Sequence, residues 1–149
     1  HWHASDDQYL PTAKLTRSKL MSALSDFAEN KILDHILGTT AFTAPSAVYL
    51  GLSTGSFGDD NSGVELTGNN YSRVAVTFDS AASGTTDNAS AIEFAAATGN
   101  WGTVSHFGLF NQSSGGQLLI HGAFSGGGKT IASGDVLKID AGDLDISAD

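Results

Sequence analysis

Apolar positions along the chain follow two periods, and the change of period divides it. Over residues 18–38, Leu20, Leu24, Phe27 and Ala28 recur at spacings of three and four, and Ile32, Leu33, Ile36 and Leu37 prolong the same face. That spacing predicts one α-helix, with Thr16 or Ser18 as its N-cap and Gly38 as its stop. Past Gly38 the period falls to two. In "SAVYLGLS" (46–53) Val48, Leu50 and Leu52 alternate with Tyr49 and Gly51, and in "NYSRVAVTFD" (70–79) Val74, Val76 and Phe78 alternate with Arg73, Ala75 and Thr77. Short strands are predicted at 91–96, 103–111, 116–124, 129–132, 135–140 and 143–147, separated by Gly/Ser/Asn/Asp turns such as "QSSGG", "SGGG" and "AGD". The pattern describes a mainly β chain: an antiparallel, jelly-roll-like β-sandwich over 39–149, preceded by the helix and by an extended arm over 1–17. The predicted core positions include Val74, Val76 and Phe78.

Composition agrees with many short strands. The chain has 149 residues, enough for one domain, with 18 glycines to make turns and only 2 prolines. It has no cysteine, which removes disulfides, thiolate metal sites and cysteine nucleophiles together. Net charge is −9, and residues 39–149 carry eleven acids against three bases, Arg73, Lys129 and Lys138. An acidic body is a poor partner for nucleic-acid phosphates. No run of 18 apolar residues suggests a membrane helix.

The residues with chemical potential read mostly as packing and turn residues. In "GNWGTVSHFGLFNQSSGGQLLIHGAF" (99–124), strict alternation would put Ser105 and His106 on opposite faces, so that they form no nucleophile–base pair. "QSSGG" would turn a hairpin that brings His106 and His121 near one another, without a visible third metal ligand. "FGDDNSGVE" (57–65) gathers Asp59, Asp60, Asn61 and Glu65, a composition that calcium could use but without the spacing of an EF-hand loop. Asp135, Asp140, Asp143, Asp145 and Asp149 are spaced as turn and strand-edge residues rather than as a carboxylate pair. "SGGGKT" (125–130) lacks the first glycine of a phosphate loop. No catalytic residue, cofactor or metal ligand is assigned. In the arm, Trp2, Tyr9 and Leu10 are isolated apolar side chains, suited to docking on a neighbouring subunit.

The order of these elements, and above all "NNYSRVAVTF" and "WGTVSHFGLFN" with "GGQLLIHG", resembles a family of tailed-bacteriophage virion proteins labelled tail-fibre-like or minor structural proteins. The resemblance covers about residues 23–147. It implies a non-enzymatic structural protein of the phage particle surface, made in the bacterial cytoplasm. The expected role is capsid decoration: a cement protein on the major capsid protein lattice, closed into a homotrimer and gripping neighbours with the arm. The alternative is a tail-fibre or baseplate module that binds a host glycan, whose mark would be an exposed aromatic platform of Trp101 with Tyr71. A small hydrolase would instead need carboxylates or histidines clustered in a pocket.

Overall fold

The computed structural model describes residues 12–15 and 21–148. Twelve strands and one helix follow one another as β1 (Thr12–Leu15), β2 (Met21–Leu24), α1 (Asp26–Ile36), β3 (Val48–Ser53), β4 (Val74–Val76), β5 (Thr85–Asp87), β6 (Ile92–Glu93), β7 (Gly102–Val104), β8 (His106–Phe110), β9 (Leu118–Ala123), β10 (Lys129–Ile131), β11 (Val136–Ile139) and β12 (Asp145–Ser147). A five-stranded sheet in the order β2-β9-β8-β3-β4 forms the large layer, and every pairing in it is antiparallel. Opposite lie the short ladders β1-β11-β6, β10-β7 and β12-β5. The fold is therefore mainly β and sandwich-like, with one helix.

Alternation explains the two faces of the large sheet. Leu50 pairs with Leu109 and Leu52 with Phe107, and this front face meets Ile92, Phe94, Ile131, Leu137, Ile139 and Leu144 of the opposite layer in one buried cluster. The back face carries a second, smaller cluster of Phe57, Phe110 and Leu118. Both faces of β3 are thus covered, and Leu50 to Ser53 are buried without interruption. Gly51 and Gly108 stand opposite each other in this central pair. A Cβ on Gly108 would come within 2.9 Å of both Phe110 and Leu118, so the back cluster needs glycine there.

The helix is shorter than the 18–38 expected from its spacing. Residues 21–24 pair with β9 along the sheet edge, Leu24 opposite Ile120, and the cap is Ser25 rather than Thr16 or Ser18. Pairing along the edge of β9 takes residues 21–24 out of the helix, since a helical end is marginal without tertiary packing. The Ser25 hydroxyl accepts from Ala28 N at 3.1 Å and donates to Leu118 O at 2.5 Å, so the cap also bolts the helix to β9. Gly38, at φ +80°, follows the C-cap Leu37 as expected.

The boundary of the arm moves as well. Thr12–Leu15 forms a strand parallel to β11. The alternation at 70–79 is borne out at Val76, which is buried, whereas Val74 and Phe78 are half-buried against the core. Phe78 joins Asn88 in an isolated bridge rather than extending β4.

Candidate functional site

The β8–β9 hairpin forms as the sequence implies, with His106 opposite Ala123 and Gly108 opposite His121. Both histidines therefore lie on the back face, at diagonal positions across the pair. Burial, and then the nearby His121, hold the His106 imidazole below its ordinary pKa. His121 Nε2 lies 2.7 Å from Asp59 Oδ1 in the acidic loop.

Ser105 corrects the strict alternation expected of it. β7 ends at Val104 and β8 begins at His106, and Ser105 occupies the break, its backbone bonded to Ser53 O and Phe124 N. Released from the pleat, its Oγ sits 2.7 Å from His106 Nδ1 and 3.0 Å from Thr54 O. A carbonyl only accepts, so the hydroxyl donates to Thr54 O and His106 Nδ1–H donates to the hydroxyl. This is the reverse of a nucleophile–base pair, in which the ring nitrogen must be bare toward the serine.

The acidic loop disperses its carboxylates. Asp59 turns to His121, Asp60 Oδ1 accepts from Ser62 N at 3.1 Å, and Glu65 turns inward. The Ser62 bonds, side chain first and then backbone, lower the pKa of Asp60. Among the described residues, no three His, Asp or Glu side chains converge as a metal set. At "SGGGKT", a strand (β10) starts at Lys129 where a phosphate loop would need a helix. Asp135 Oδ2 accepts from Ala132 N at 2.8 Å, as a turn carboxylate does.

A dense polar network surrounds Arg73, which sequence reading passed over. Its Nη2 and Nε grip Glu65 at 2.7 and 2.9 Å, while Nη1 donates to Gln112 O and Gly115 O at 2.8 Å each. The guanidinium stacks on the Phe110 ring at 3.6 Å from its centroid. Tyr71 donates to Glu65 and accepts from Leu52 N at 2.9 Å; burial, then the Glu65 bond, pushes its pKa far up. Beside this network lies a shallow cleft of about 340 Å³, lined by Ser72, Ser113, Ser114 and Thr67 among others. The available signal was scarcity: Arg73 is one of three Lys or Arg residues after residue 38, set immediately before the apolar run of β4. Asn88 was also missed. Buried, it donates to Ser90 O and Asp140 O and accepts from Leu144 N, closing the turn before β12.

The aromatic platform is internal. Trp101 is buried, its Nε1 donating to Asn69 O at 3.0 Å, and its ring meets Tyr71 edge-on at 5.6 Å. With Phe94 the two rings pack into the core, Trp101 buried and Tyr71 half-buried against it. Trp2, Tyr9 and Leu10 lie outside the described residues. Among the described residues no helix is long and apolar enough to cross a membrane.

No curated protein matches the chain significantly. Residues 23–147 match the family described as "Podophage GP4 fiber I protein gp80", a span that takes in four strands of the large sheet and half of β2, the Arg73 network and the β8–β9 hairpin. The chain belongs to this family of phage fibre proteins.

Proposed function

We propose that the chain is a structural unit of a fibre on a tailed-phage particle, rather than a capsid cement protein or an enzyme. The family match over 23–147 carries this reading, because its description names a podophage fibre protein. The wiring of the polar groups supports a non-catalytic role: Ser105 donates to a carbonyl, Asp59 binds His121, and Glu65 is saturated by Arg73 and Tyr71. Burial of Trp101 and half-burial of Tyr71 favour a connecting segment over a sugar-binding tip. On this reading the protein sits at the particle surface and contacts other copies of itself, in a closed trimer, and a tail protein, with Trp2, Tyr9 and Leu10 among the contacts.

Electron microscopy of virions carrying a tagged chain tests the location. Label on the appendages is expected, and label spread evenly over the capsid would restore the decoration reading. Incubation with host surface polysaccharide tests the chemistry. Release of reducing ends that disappears in Ser105→Ala or Asp59→Asn would show that the protein is an enzyme.

A further inference from the structure

Among the described residues, part of the front face of the large sheet opens to a groove beside the β5–β12 ladder of the opposite layer. Val48, Phe78, Leu109, Leu119, Ile120 and Ile146, with Thr86 at the rim, line an open apolar groove of about 140 Å³ between β9, β3 and the β5–β12 ladder. A wider hollow of about 470 Å³ lies beside Ala23, Leu24 and Glu29, and Ile120 and Ile146 line both. The floor is continuous with the core, since Leu109 and Ile146 are buried members of the main cluster. A register shift beside Leu109 sets Leu119 apart from the ladder, as the extra residue between the partners Leu118 and Ile120.

We propose that this groove receives residues 2–10 of a neighbouring copy. Two hollows meet at Ile120 and Ile146, and the segment offers two apolar points, Trp2 and the Tyr9–Leu10 pair, separated by polar residues. Seven residues of extended chain span at most about 23–25 Å, which sets the largest separation at which the two points can engage the two hollows. Topology argues for a neighbour. Thr12 pairs with Val136, at the opposite end of β11 from Ile139, and it is the Ile139 end that leads through the 140–143 turn into β12 and Ile146. The chain thus enters β1 at the end away from its own groove. The inference rests on the reading of Trp2, Tyr9 and Leu10 as partner contacts and is independent of where on the virion the protein sits.

The test uses full-length chains and a labelled synthetic peptide of residues 1–11. An arm-silent chain carries Trp2→Ala, Tyr9→Ala and Leu10→Ala; a groove-blocked chain carries Leu119→Arg, with Ile120→Glu as a second version. Near-ultraviolet circular dichroism confirms that each chain is folded, and Ile36→Glu on the exposed helix end serves as control. The wild-type and control chains should gain mass with concentration in light scattering, and each altered chain alone should stay monomeric. Mixing the arm-silent and groove-blocked chains should restore a complex. The peptide should bind the arm-silent chain at least tenfold more tightly than the groove-blocked one. Equal peptide binding to both, self-association of the arm-silent chain as strong as wild type, or a wild-type chain monomeric at all concentrations would each overturn the proposal. Appendage or capsid labelling in virions bears on the fibre reading alone.

Discussion

Arg73 binds a carboxylate, two loop carbonyls and an aromatic face at once, which ties the start of β4 to the loop before it and to the β8–β9 turn. Lysine keeps the charge but loses the planar fork and the stacking. Arg73→Lys should therefore cost about 1–3 kcal/mol in urea unfolding, in the range for losing hydrogen bonds to a charged group. Near-zero change would mean that the network is dispensable. Phe107 reports on the core instead: fully buried, opposite Leu52 and against Phe124, it should cost about 3–5 kcal/mol on replacement by alanine. Phe78→Ala should cost less, because Phe78 is half-buried at the groove rather than central. The spacing of Leu50, Leu52 and Val76 disclosed which face they bury, because alternation is a local property. Which alternating residue lies at the middle of the sandwich depends on strand order, which no local pattern encodes.

At the scale of elements, the single serine cap joins helix to sheet. Ser25→Ala should lower stability by about 0.5–2 kcal/mol, with hydrogen exchange in α1 rising more than in β3. A uniform rise would separate the cap from the helix. The β8–β9 hairpin adds a pH response. The fold holds His106 below its ordinary value of about 6.5, so it favours the neutral ring. The contribution of that group is full above the unfolded pKa and is lost as pH falls through the folded one. Thermal midpoints should drop on the acid side of about pH 6.5, and His106→Gln should flatten the drop; an unaltered pH profile would show that other groups control it. The hairpin and the stop at Gly38 were legible because turn residues and helix stops act locally. The break at Ser105 was not, since it follows from Val104 pairing with β10 while His106 pairs with β9, two ladders distant in sequence. The cap at Ser25 was hidden for the same reason: β9 lies almost a hundred residues away, and its edge decides where the helix can begin.

For the molecule as a whole, sequence conveyed the class of fold, the acidic body and a tail-fibre-like phage virion family, though not the capsid-decoration role, while the Arg73 network and the apolar groove arise only when distant loops meet. Removal of residues 1–11 should leave the thermal midpoint of the isolated protein unchanged, because the buried residues and β1 remain; a fall of several degrees would show that the segment belongs to the folding unit. A deletion extended to residue 17 would remove β1 itself. That strand has a mechanical consequence. β1 and β11 run parallel over four pairs, Thr12 with Val136 through Leu15 with Ile139. Tension applied at the two ends of the chain pulls β1 backward through Thr12 and β11 forward through Ile139, along their common axis. The ladder is then loaded in shear and its bonds share the force, whereas a hairpin drawn apart across its open end yields one bond at a time. In single-molecule pulling, end-to-end loading should require a higher rupture force than loading through residues 106 and 123, which face each other at the open end of β8–β9. On the fibre reading proposed above, with the appendage dragged by fluid and cell surface, the direction of pull would then matter as much as the free energy of folding.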